Sequence, residues 1–152
     1  MADNVSPALA AEGTLLQIGS GASPEVWQTI SNVGDITGPT LDSTVVDITS
    51  HSSQAPFRQK IITLLNLGTV TFPLFWVPQN DTHANRIVGA IGGIRYNYIN
   101  RLKQEYRLKY TDGTSSDSFF AYVSKLGETS KVAGVYEMAI TLEGTGTPTS
   151  FT

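Results

Sequence analysis

The sequence predicts a mainly β domain, a β-sandwich or partial barrel flanked by one α-helix, and three observations carry that expectation. The first is the stretch 104–143, where three strand-like runs follow one another across short turns. Residues 104–110 alternate, with Tyr106, Leu108 and Tyr110 on one face and Glu105, Arg107 and Lys109 on the other. That is the period of a strand with one dry side. Thr111-Asp112-Gly113-Thr114 follows, and Asp-Gly supplies the positive φ that hairpin turns need. Residues 118–126 and 135–143 complete a meander, with Tyr136, Met138, Ile140 and Leu142 aligned along its last strand. The second observation is that charged residues are only 15 % of the chain, against about 25 % in ordinary soluble domains. Thr, Ser and Gly take their place, as in β-rich proteins that present surface to partners. The third is a single helical stripe, with Ala84, Ile87, Val88 and Ile91 at i, i+3, i+4 and i+7. It predicts a helix over about 81–91, capped by Asp81 or Thr82 and stopped by Gly92-Gly93. Such a helix docks on a sheet, which gives the meander the cover it cannot do without.

The remaining elements follow in chain order. Residues 1–13 form an N-terminal arm without consistent period, and alone it should be mobile. A short strand over 14–18 ends at Gly19-Ser20-Gly21, and 25–33 is the next strand, anchored by Trp27. Gly, Asp and Pro punctuate 34–40 too densely for a regular element. Residues 44–49 are strand-like. Over 57–67 the pattern is ambiguous, since Phe57, Lys60, Ile61, Leu64 and Leu65 can line a helix as well as an extended run. Residues 68–77 read as a strand, and Pro73 within it predicts a bulge or an edge position, because proline gives the ladder no donor. After the core of 14–143, residues 144–152 leave through Gly144-Thr145-Gly146 into a C-terminal arm. The whole is one domain of 152 residues, large enough to bury a core.

Charge is unevenly spread. Residues 1–57 hold six acids and no Lys or Arg, whereas 86–109 hold six bases against the single acid Glu105. Ordinary solvated surface is one reading. Head-to-tail association, with the acidic part of one copy meeting the basic part of the next, is the other. The net charge of −3 argues against the whole chain being a nucleic-acid binder, and the lack of cysteine excludes disulfides. No apolar run approaches membrane-spanning length, and an N-terminus with Asp3 and Glu12 but no base is wrong for a secretory signal.

Little catalytic chemistry is legible. His51 and His83 lack metalloprotease spacing, so neither metal nor other cofactor is expected. His83 reads as a surface or capping residue. Asp47, Thr49 and His51 fall on one face of an extended segment, but no nucleophile elbow accompanies them, and an enzyme is the weakest of three readings. The run 95–103 interleaves Tyr96 and Tyr98 with Arg95, Arg101 and Lys103, as single-strand binders do. An exposed connection with half-buried tyrosines is the simpler account. A monomeric β-sandwich binding module, for carbohydrate or a host surface, would use Trp27, Trp76 and Tyr122 as a stacking platform.

The order of motifs resembles the major tail tube proteins of long-tailed, lambda-like (siphovirus) bacteriophages. It lies in Thr14-Leu15-Leu16-Gln17-Ile18, the run from Trp27 through Gly34-Asp35-Ile36-Thr37-Gly38-Pro39, and Val46-Asp47-Ile48-Thr49-Ser50-His51-Ser52. It continues through Leu65-Asn66-Leu67-Gly68-Thr69-Val70-Thr71-Phe72, Pro78 to His83, Tyr110-Thr111-Asp112-Gly113 and Leu142-Glu143-Gly144-Thr145-Gly146. The match spans about residues 14–146. The resemblance implies the phage tail tube fold, an extended rather than helical 57–67, and hexameric rings whose inner sheets join into one barrel and stack into a tube. It implies inter-ring contacts from the terminal arms and the long loop 35–45, with Asp35, Thr37, Pro39 and Asp42 as candidates. Candidate charge contacts between subunits are Asp47, Arg86, Arg95, Arg101 and Lys103. Tail terminator, tape measure and distal tail proteins are the implied partners. The implied location is the virion tail, after synthesis in the host cytoplasm and with no membrane involved. If each of six subunits gives four strands, spaced about 4.8 Å and tilted roughly 40–45°, the barrel is on the order of 50 Å across, wide enough for double-stranded DNA to pass without specific binding.

Overall fold

The computed structural model describes residues 11–21, 26–51, 57–89 and 91–151; most of the expected N-terminal arm, residues 1–10, lies outside them. Ten strands and one helix run in the order β1 (Leu15–Gly19), β2 (Trp27–Thr29), β3 (Leu41–Asp47), β4 (Lys60–Leu67), β5 (Thr69–Phe75), β6 (Ile87–Val88), β7 (Ile91–Gly92), α1 (Ile94–Ile99), β8 (Gln104–Lys109), β9 (Ser116–Ser130) and β10 (Tyr136–Phe151). The main sheet is antiparallel with strand order β2-β1-β8-β9-β10-β5, while β3–β4 and β6–β7 are separate hairpins. The mainly β class with one helix is thus observed.

The meander forms as its alternation dictates. Tyr106 pairs with Phe119 and Leu108 with Asp117 across β8 and β9. The intervening turn is held by Asp112, whose carboxylate accepts from the backbone N–H groups of Thr114 and Ser115 and from the Ser115 hydroxyl. Those bonds, the Ser115 hydroxyl first, lower the Asp112 pKa to about 2. Gly113 takes φ +80 there, where a side chain would be strained. Between β9 and β10 the register slips at Thr141/Leu142, Leu142 facing Val123 while Thr141 faces Lys125. The extra residue in β9 lets Val123 and Leu126, three apart, both face the dry side opposite Leu142 and Ile140. Past Gly144, where an arm was expected, β10 continues to Phe151, with Ser150 and Phe151 opposite Ser118 and Asp117.

Pro73 shows why the edge expectation holds. It lies opposite Ala139 of β10, yet its carbonyl points the other way and accepts from Gly34 N–H at 2.8 Å. The missing donor therefore faces the outer border, where no bond to β10 is lost. That border is covered by the chain's own residues 32–37. Thr37 and Thr71 exchange two bonds, and Phe75 N–H donates to Asn32 O. The predicted strand 25–33 is cut to Trp27–Thr29 because Asn32 adopts φ 59, turning the chain toward this border.

The helix predicted over 81–91 is not formed; those residues make turns and the small β6–β7 hairpin, and the helix is Ile94–Ile99. Asn80 diverts the chain first, its side-chain oxygen accepting from Thr82 N–H at 2.9 Å and from the Thr82 hydroxyl at 2.6 Å. The carbonyls of Thr82 and His83, which a helix would give to residues 86 and 87, instead accept from Ile94 and Arg95. Of the expected stripe, Ala84 and Ile91 are buried while Ile87 and Val88 are exposed. The glycines expected to end a helix precede one, and Gly93 is its N-cap.

One core joins these parts. Ile18, Tyr106, Phe119, Ile140 and Phe72 from successive strands meet Ile94 of α1, Trp76 and Leu67. Each fully buried side chain of this kind stabilises by about 1.5–3 kcal/mol. His83, expected at the surface, is 0 % exposed. Its Nδ1 accepts from Val77 N–H at 3.1 Å and its Nε2 lies 2.7 Å from the Ser31 carbonyl, so it sits as a neutral ring with Nε2–H donating. Burial lowers its pKa. The ring stacks on Trp76, with centroids 5.4 Å apart.

Candidate assembly surface

The β3–β4 hairpin stands out because the sheet rules that built the rest do not cover it. Every residue of β3, and every residue of β4 before Leu67, is exposed. The run 57–67 that could be read as a helix is in its second half an antiparallel strand. Val45 lies opposite Ile62, Val46 opposite Ile61 and Asp47 opposite Lys60, with a bulge between Ser43 and Val45. Alternation puts Leu41, Leu65, Val45 and Ile62 on one face, at 61, 84, 53 and 63 % exposure. Val46 and Ile61 share the other face with Asp42. Among the described residues the hairpin is anchored at its base. Gly68 N–H donates to Thr40 O, and Gly144 N–H of β10 donates to Gly68 O.

Its far end is fixed by polar bonds. Asp47 pairs with Arg58 at 2.9 Å and accepts from Thr49 N–H, while Thr49 and Gln59 bond across the strands. Thr49 foremost, then Arg58, lowers the Asp47 pKa. No described bond joins Asp47 to His51, so the expected Asp–Thr–His alignment is a strand-end clasp. Among the described residues no three His, Asp or Glu side chains are placed to hold a metal ion.

The other anticipated contact residues are placed as follows. Thr37 is bonded along the β5 border, Pro39 follows a cis peptide, and Asp35 and Asp42 are exposed. Arg86 bonds Asp81 at 2.6 Å and the Gln79 carbonyl. Arg95 bonds Glu128 at 2.6 Å and lies 4.4 Å over the Trp76 ring. Arg101 and Lys103 are exposed at the end of α1 and take part in none of the ion pairs among the described residues; Lys103 reaches over Phe120. The run 95–103 is thus mostly helix and turn rather than a plain connection. Trp27, Trp76 and Tyr122 do not form a platform. Trp76 is core, Trp27 is covered by Arg107, and β1 and β8 separate β2 from β9. The apolar hairpin residues Leu41, Ile62 and Leu64 escaped the sequence reading as surface. The signal was present in a run too apolar for a link.

No protein-family model and no curated protein sequence matches this chain. Solved structures do. A chain in the tail of an empty gene transfer agent particle, refined with C6 symmetry, superposes with a TM-score of 0.71 at 13 % identity, over 95 % of this chain and 99 % of that one. A chain of the anti-feeding prophage baseplate, six-fold symmetrised, gives 0.59 at 8 % identity over 93 % and 94 %. One from an extracellular contractile injection system, the PVC sheath–tube complex in its extended state, gives 0.59 at 11 % identity over 93 % and 90 %. Nearly end to end, at identities where only architecture is retained, this polypeptide has the tail tube fold.

Proposed function

We propose that the chain is a structural virion protein, not an enzyme, that self-assembles into stacked hexameric rings forming a phage tail tube through which the DNA genome passes. The observation that carries the reading is the β3–β4 hairpin, which presents Leu41, Ile62, Leu64 and Leu65 to solvent at above 60 % exposure. Monomeric proteins rarely leave so large an apolar surface open, and here it belongs to a fold found in six-fold tail and baseplate assemblies. The tube is of the long-tailed siphovirus type. Supporting this is the order of sequence motifs over residues 14–146. Tail terminator, tape measure and distal tail proteins are its partners in the virion tail. DNA moves through a lumen that is neutral or acidic, since each base engaging a phosphate would strengthen the hold.

The test is electron microscopy with light scattering of purified protein over a rising concentration series. Hollow tubes with six-fold rings are expected. A species that stays monomeric at every concentration would overturn the reading.

A further inference from the structure

We infer that the hairpin face bearing Asp42, Val46 and Ile61 docks on the corner after α1 formed by Ile99, Arg101 and Lys103 of a second copy, making a head-to-tail contact. The inference rests on the self-assembly proposed above and names the two surfaces that meet.

Three observations lead to it. First, internal pairing leaves several exposed charges over, Asp35, Lys60, Lys125 and Glu143 among them, and on the two patches named here what remains is complementary. Asp47, Arg86, Arg95 and Lys131 have partners within the chain. Asp42 on the hairpin, and Arg101 and Lys103 at the corner, are exposed and take part in none of those pairs. Opposite charges on two patches select each other and set the encounter geometry. Second, both patches carry apolar side chains beside the charge. Val46 and Ile61 lie opposite each other on the hairpin, and Ile99 is 53 % exposed. Third, Arg101 is held at φ 55 directly after the helix, its N–H donating to Tyr98 O. This is the left-handed residue that closes a Schellman helix end, the next N–H, that of Leu102, donating to Asn97 O. That closure turns the chain sharply and leaves the Arg101 side chain exposed at the corner.

A second copy is the occupant because one chain carries both halves in different places. The hairpin rests on β10, whereas α1 packs on β9. Two complementary patches at different positions make a heterologous contact, which closes into a ring when the rotation per copy allows it.

The experiment uses the full chain and two variants, R101E/K103E and D42K, each checked for a native circular dichroism spectrum. Assembly is read by sedimentation at low salt. The wild type should assemble, and each variant alone should assemble about tenfold less. An equimolar mixture should recover, since the acidic hairpin of the first then meets the basic corner of the second, and the lysine-bearing hairpin meets the glutamate corner. Recovery should weaken as salt rises. Undiminished assembly of both variants, or a mixture that fails to recover, overturns this contact while leaving the tube intact. A loss of duplex DNA binding in R101E/K103E without loss of assembly does so too, by assigning the corner to nucleic acid. A wild type that does not assemble removes the underlying function instead. Because the chain has no cysteine, a mixture of D42C and R101C under oxidation supplies an independent readout if a charge variant misfolds. A cross-linked heterodimer in excess of either homodimer is expected, and its absence also overturns the contact.

Discussion

His83 is the residue whose surroundings differ most from what its neighbours in sequence imply. A place in the first turn of a helix would leave it wet. The turn at Asn80 instead folds it inward, between Val77 N–H and the Ser31 carbonyl. Its folded pKa lies below the ordinary histidine value of 6.5, so below that pH the unfolded chain binds the extra proton and the native state resists it. Stability is therefore full above about pH 6.5 and falls as pH drops through that value, by up to about 1.4 kcal/mol per pH unit. Urea melts of the wild type should show that slope between pH 6.5 and 5, and H83Q should flatten it. Gly93 is the second sensitive position. An added Cβ would lie 2.1 Å from the Ala84 carbonyl oxygen. G93A should lower stability by about 1–3 kcal/mol, read from the same melts.

Elements were legible where the pattern is long and local. The meander is written in the alternation of residues 104–110 and in Asp112-Gly113, and the structure builds it from those cues. The helix was misplaced because periodicity alone cannot report that the carbonyls of Thr82 and His83 are claimed by Ile94 and Arg95, a contact between segments the pattern treats as separate. Six residues of α1 with a buried Asn97 give too short a stripe to read. The hairpin was hidden by its own composition, since an apolar run on a protruding strand resembles core. Its independence from the core yields a prediction. Replacing residues 43–65 with a short Gly-Ser loop removes, among the described residues, only exposed ones. Chemical denaturation should change by less than about 1 kcal/mol, while assembly by sedimentation should be lost. A collapse of monomer stability would show the hairpin to be part of the core.

At the scale of the whole molecule, two of the six bases in 86–109 are paired with acids of the same chain. Arg86 and Arg95 are held by Asp81 and Glu128 rather than being available to a passing duplex. Assembled tubes should accordingly show no DNA retention that grows as salt is lowered, measured by mobility shift on a short duplex. Tight, salt-dependent retention, or a reconstructed lumen ringed by Arg101 and Lys103, would contradict this.

The border along β5 has one more consequence. Residues 32–37 already lie against it and fill its outward positions at Thr71, Pro73 and Phe75. A molecule stoppered on one flank and, among the described residues, open only along the brief β2 on the other cannot add copies at both borders of this sheet. Endless lateral zippering through the main sheet, a route to fibrils, is thereby blocked.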